Sequence, residues 1–474
     1  DLNLLGKLTF SPAPAHNFAL SRRTLNKDYV AGGARSRGRE VSGTDQFTTV
    51  ADNSTALQYG FAPQDNQLIN ANLRYSRMES ERERSAAGSS TVDLWGSETD
   101  YFEVENTALL NGGGAVSHEV RIGADFTRDD LATAYTNSAG DKLLRERRIA
   151  GVYISDTIAL TPSVLLIASA RYDRYEASDL SSGAASDSST VSPRLHVNFS
   201  PFDSGAAAGL SFYGLVGRGF RAPSVHENFG RGDSGVICSQ GRRGFACNER
   251  VPNPVLAAEI SESREVGIRY NFDGLFTATD QLRVQLGYVN NDVADFIDRA
   301  DLEPGEIVVN DRRTRVERTT FVNIHNARID GWEYFVNYAG SRWFASLTAQ
   351  TMDGHDVETG MNLRDVSPHS VNASLGFYLA DGRVRAGIDM TRRGDREVDA
   401  DSSFNRLGYT VYDLFASYRF NDRLNLQLRV ENALDELYTK RYQSLSIDPA
   451  TQLEQDLTYY QPGRNIKATL EFRL

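Results

Sequence analysis

The chain has 474 residues, a formal net charge of −12 and 40% hydrophobic residues, with a mean hydropathy of −0.43. An acidic balance argues against a partner held through phosphates, so no nucleic-acid partner is expected. No run of about 18 apolar residues occurs, which excludes a membrane-crossing helix but not strands, where only alternate residues face lipid.

From the start, residues 2–10 form a strand-like stretch that ends in a tight connection at 12–15. Turn chemistry (Pro, Gly, Asn, Asp) recurs at 63–66, 112–114, 161–163, 201–205, 273–280, 340–341, 381–382 and 421–422. Between these lie polar stretches at 29–50, 82–97, 129–143, 177–190, 221–260, 299–319, 354–366, 394–407 and 433–462, read as long loops. The flanks alternate with period two. Leu282, Val284, Leu286 and Tyr288 oppose Arg283 and Gln285, and Leu424, Leu426, Leu428 and Val430 oppose Asn425, Gln427 and Arg429. At the end, Ile466, Ala468, Leu470, Phe472 and Leu474 oppose Lys467, Thr469, Glu471 and Arg473. Such alternation means strands with one apolar and one wet face. Short turns on one rim and long loops on the other describe an antiparallel transmembrane β-barrel, with the long loops outside the cell.

Counting flanks gives about 19 strands, each long enough to cross a bilayer when tilted. The odd number is informative, because bacterial single-chain barrels have even counts. If residues 12–15 lie at the inner rim, the first strand runs inward, and a barrel of about 22 strands would lack about three before it.

Two stretches carry the chemistry. Phe220, Arg221, Ala222 and Pro223 end a strand and lead into His226; Asn253, Pro254, Val255 and Leu256 follow an intervening loop. Later come 322–333, with His325, and 430–438, which reads Val-Glu-Asn-Ala-Leu-Asp-Glu-Leu-Tyr. These resemble the paired boxes and shared ending of TonB-dependent outer-membrane receptors, nearest the haem and haemoglobin branch. Nearly the whole chain is covered. The resemblance implies an all-β barrel of 22 strands, of which residues 1–474 would be the C-terminal portion, without the plug or the segment that contacts TonB. It implies energised uptake of haem iron from haem or a haem-carrier protein, in the lipid of the outer membrane, with haem as cargo and no resident cofactor. Val255 departs from the Asn that haem receptors often carry, and Leu474 from a terminal Phe.

For such a cargo His226 is the candidate iron ligand, since neutral imidazole binds haem iron well. His325, expected near the outer rim on the inner face, and His355, in the next outer loop, are further ligand candidates. Arg221 is the side chain suited to a propionate, although the box that contains it reads mainly as a strand exit. Arg242 and Arg243 offer the same charge at a loop tip. His16 and His118 belong to the wrong rim, and His196 and His369 have no supporting context. Cys238 and Cys247 stand in an outer, oxidising loop without a second ligand pair, so a disulfide is expected rather than a metal site. No nucleophile–base cluster or phosphate loop suggests an enzyme. Ferric-siderophore or cobalamin uptake is the alternative within the same family; a passive porin or a surface adhesin is the alternative of another class.

Overall fold

The computed structural model describes residues 2–31, 35–36, 39–40, 46–86, 92–111, 116–135, 143–230, 236–241, 244–309, 312–364, 366–397, 406–440, 445–447, 454–456 and 460–473. The strands in order are β1 (Leu2–Ala13), β2 (His16–Ala31), β3 (Arg35–Ser36), β4 (Arg39–Glu40), β5 (Gln46–Phe61), β6 (Ala71–Ala86), β7 (Val92–Asn111) and β8 (Ser117–Tyr135). Next come β9 (Leu143–Thr161), β10 (Val164–Asp179), β11 (Ala185–Phe199), β12 (Leu210–Arg221) and one short helix, α1 (Val225–Phe229). Then follow β13 (Val236–Gly241), β14 (Gly244–Arg250), β15 (Glu259–Asp273), β16 (Gln281–Val309), β17 (Arg312–Ala339) and β18 (Trp343–Asp356). The last are β19 (Ser370–Leu379), β20 (Val384–Arg393), β21 (Tyr409–Arg419), β22 (Leu424–Glu431), β23 (Leu445–Ile447), β24 (Glu454–Asp456) and β25 (Asn465–Phe472).

One sheet holds 21 of these strands; β13 and β14 form a hairpin at the rim, which leaves 19 strands in the wall. All wall neighbours are antiparallel, and β12 skips the hairpin to pair with β15 from Leu210↔Tyr270 to Arg221↔Glu259. Among the described residues β1 pairs only with β2 and β25 only with β22, so the sheet has two free edges. The sheet curls, because α1 touches β9, β10 and β17 together. The strand count and the odd parity read from the sequence are both present.

Period two divides the wall as expected. Val216, Val266, Ile268, Leu428 and Leu470 lie on the outward face, and all are exposed. A broad belt of exposed apolar side chains is what a lipid-facing surface requires. Aromatic pairs cluster at the short-turn rim, such as Phe18–Tyr59 and Tyr418–Phe420, each with ring centroids 4.6 Å apart. They mark the membrane interface there. The inward face is polar, and several of its arginines are matched by carboxylates. Arg171 donates to Asp125 at 2.6 Å and to Asp173 at 2.8 Å, and Arg147 to Asp129 at 2.7 Å.

Several stretches read as polar loops are strand instead. β6 and β7 run on to Ala86 and back from Val92, and β10 to Asp179. The largest correction is 299–319: β16 and β17 have 29 and 28 residues and form a ribbon well past the roughly ten needed to cross a bilayer. Beyond the membrane both faces of a ribbon are wet, so its residues lose the apolar–polar alternation while the backbone still pairs. The turn expected at 112–114 lies outside the described residues.

Candidate functional site

The first box ends β12 and turns the chain inward. Pro223 has no N–H to extend the ladder, and Ser224 caps α1: the Glu227 N–H donates to Ser224 Oγ at 3.2 Å and the Ser224 N–H to Glu227 Oε2 at 2.6 Å. This reciprocal cap is worth about 1 kcal/mol. Gly230 closes the helix at φ 71°, where a side chain would be strained. Arg145, buried on β9, caps the other end by donating to the carbonyls of Phe229 at 3.1 Å and Gly230 at 2.9 Å, with Asp179 beside it. Val225 and Phe229 pack with Tyr175 and Ala177 of β10, and Phe220 and Ala222 of the box lie against them.

The second box completes this brace. The Asn253 N–H donates to the Asn228 carbonyl at 2.8 Å, and its amide to the Phe321 carbonyl of β17 at 2.9 Å. The buried Tyr175 hydroxyl donates to the Pro223 carbonyl at 2.7 Å. Leu256 is buried while Val255, the departure from the expected Asn, points outward at 85% exposed. Arg221 is held by carboxylates: it donates to Glu259 Oε2 at 2.6 Å and to Glu227 at 3.0 Å, and Glu259 also accepts the Ile297 N–H at 2.9 Å. The guanidinium that sequence reading offered to a propionate is engaged inside the protein, and pairing with Glu259 favours its charged form.

His226 stands on α1 with its ring edge-on to Phe321, centroids 6.2 Å apart. Its Nδ1 lies 3.3 Å from the Gly230 carbonyl, and its Nε2 meets the Arg250 guanidinium, which lies over Phe321. Arginine only donates, so Nε2 accepts and Nδ1 carries the proton. His325 is exposed and shares the inward parity of Glu333, opposite Asp295 of β16, whose φ is 55°. His355 is a correction: it is not in a loop but near the end of β18, paired with Arg328 on the outward face. An outward imidazole cannot join one on the inward face, so the three histidines do not form one site. Cys238 and Cys247 are register partners in the β13–β14 hairpin, and Cys247 is buried. Arg242 and Arg243 lie outside the described residues.

Sequence reading missed a second feature of the rim. A cavity of about 640 Å³ opens on the inward face of β18–β21, lined by Gln350, Asn372, Arg393, Arg406, Tyr409 and Lys440 among others. Its only sequence signal was the basic run at Arg392, Arg393 and Arg396 before a polar stretch.

Residues 3–433 match the family described as TonB dependent receptor-like, beta-barrel. The chain belongs to that family. Its barrel is accordingly an outer-membrane one. A relative named "Heme/hemopexin utilization protein C", from Haemophilus influenzae, is 25% identical over 91% of this chain. The chain spans 59% of that relative's length. Among solved structures, the Serratia marcescens hemophore receptor HasR, in complex with its hemophore HasA and heme, matches at TM-score 0.71 and 18% identity, over 99% of this chain and 71% of that one. The siderophore receptor PirA from Acinetobacter baumannii matches at TM-score 0.71 and 17% identity, over 99% and 70%. These structural likenesses show the fold.

Proposed function

We propose that this TonB-dependent receptor takes up haem iron, receiving it from a haem-carrying protein, with energy delivered through TonB. The observation that carries the reading is His226. A ring nitrogen that donates to a backbone carbonyl fixes tautomer and orientation, which is how metal-binding imidazoles are held. The Gly230 carbonyl has that place, and Nε2 is the acceptor. Arg250 stands where iron would bind; on this reading it swings from Nε2 to a propionate as haem arrives. The relative named for haem and haemopexin use supports the same cargo.

The test is a haemin titration of the purified full-length receptor. His226→Ala should remove the axial-ligand signature from the visible spectrum and lower haem-dependent growth, with surface levels unchanged. His355→Ala should change neither. If His226→Ala and His325→Ala both leave spectrum and growth intact, the imidazole reading fails. A ferric siderophore then becomes the better cargo, a reading favoured by the polar, basic cavity, which needs no imidazole.

A further inference from the structure

The outward face of β8–β10 carries its charges in two tiers. Above the His118–Asp156 pair at the inner end, the outward positions of these strands are apolar. Ile122 and Phe126, Val152 and Ile154, and Tyr172 are the exposed ones. The first charges past this belt are Arg128, Arg148 and Arg174. Two residues farther out on the same strands stand Asp130, Glu146 and Glu176. Register gathers the three arginines: Arg128 pairs with Arg148, and Arg174 with Ala150 beside it. Residues Ser117 to Phe126 of β8 are roughly the ten that cross the hydrocarbon when tilted, so the arginine tier stands at its outer boundary.

Each outer acid holds one edge of a guanidinium. Arg128 donates to Asp130 from Nε at 3.4 Å and Nη2 at 3.3 Å, with Glu146 3.1 Å from Nε. Arg148 meets Glu146 through Nε at 2.7 Å and Nη2 at 2.6 Å. Arg174 meets Glu176 through Nε at 2.9 Å and Nη2 at 2.7 Å. Among the described residues, Nη1 of all three makes no hydrogen bond. Arg77 on β6 shows the alternative: its Nε goes to Glu79, its Nη1 to Asp100 and its Nη2 to Glu98. The three guanidiniums line one groove of about 370 Å³ with Phe126, Ala150 and Glu176. Exposed ion pairs fix geometry at little net energy, and phosphate oxygens suit arginine N–H donors. The groove is therefore cationic at the membrane boundary and apolar below it. That order matches a lipid, whose anionic head stands directly above its acyl chains. A free anion would make no use of the apolar belt.

We propose that this groove binds a phosphorylated lipid of the outer leaflet, its phosphate on Arg128, Arg148 and Arg174 and an acyl chain along Phe126 and Val152. The test is a thermophoresis titration of the full-length receptor in detergent. The probes are diphosphoryl lipid A, the same lipid with its phosphates removed, and inorganic phosphate. Arg128→Gln with Arg148→Gln and Arg174→Gln should weaken the phosphorylated lipid by tenfold or more. Wild type should bind the dephosphorylated lipid about as weakly as that variant binds the phosphorylated one. The corresponding triple Lys variant should keep the preference for phosphate, which separates lost charge from lost fold. Arg77→Gln should change the affinity less than about twofold. A loss as large in Arg77→Gln as in the triple Gln variant would reduce the effect to general surface charge and overturn the site. Unchanged affinity in the triple Gln variant, or equal binding of the lipid with and without phosphate, would overturn it too. Inorganic phosphate bound by wild type as tightly as the lipid would show an anion site only, and the lipid proposal would fall.

Discussion

The brace around Arg221 and the cavity around Arg393 both put arginine on the inward face at the end of a wall strand. In the brace, Glu227 and Glu259 take up the Arg221 guanidinium and Glu259 also accepts the Ile297 N–H, and the result is a fixed turn. In the cavity, Arg393 and Lys440 make no bond to a carboxylate among the described residues. Charge that the protein neutralises itself holds structure; charge left open toward the lumen is available for a ligand. The motif most visible in the sequence is therefore the structural one.

The largest effect that would break this contrast comes from Glu259→Ala. It removes both bonds to the Arg221 guanidinium and strands the Ile297 N–H. Losing a part-buried charge partner with several bonds costs about 2–4 kcal/mol, toward the lower end because Arg221 keeps Glu227 and some solvent. Protease added to intact cells should then cut within residues 222–258 at least tenfold faster, since about 1.4 kcal/mol is tenfold in the open population. Arg393→Ala should leave that cleavage unchanged, because it strands no partner. Equal cleavage in both variants would mean that the two regions are not built differently.

A smaller effect is expected from Gly408→Val at the lip of the cavity. A Cβ there would lie 2.7 Å from the Arg393 carbonyl and 3.0 Å from the Asp395 N–H nitrogen, so the two segments must separate. Protease cleavage within residues 394–408 should rise about five- to tenfold, roughly 1–1.4 kcal/mol, with the brace as protease-resistant as before. Unchanged cleavage would show that the lip does not depend on that close approach.

The wall was legible because period two survives wherever one face meets lipid: Leu282 to Tyr288 and Ile466 to Phe472 announce both strand and orientation. The same rule failed on the β16–β17 ribbon, where both faces meet water and pairing alone defines the strand. The boxes were legible as a family signature, and their reading as a strand exit agrees with the capped turn at Ser224. Their partners were not, since Glu259 and Tyr175 are brought to Arg221 and Pro223 by register and curvature rather than spacing. The cavity was hidden for the same reason: Arg393, Arg406 and Lys440 come from separate segments that only the fold brings to one lining.

The smallest effect is expected from the cysteines, and it sharpens the contrast from the side of the brace. Cys238 and Cys247 face each other in register, and we propose that they are linked. Peptide mapping without reductant should find one intact bond; two alkylated thiols would refute it. On a loop-entropy model so short a ring constrains the unfolded hairpin by about 2–3 kcal/mol. The folded hairpin, however, is also held by six rungs of its own and by parallel pairing of Cys247–Arg250 with Val316–Thr319. Cys238→Ser with Cys247→Ser should therefore raise protease cleavage in the hairpin while cleavage at the lip of the cavity changes by less than about twofold. The hairpin supports the strand that leads to Arg250 and the second box, and it has no residue in the cavity lining. If the serine pair raised cleavage at the lip as far as Gly408→Val, the hairpin would have to act on the cavity, and the division between brace and cavity would be wrong.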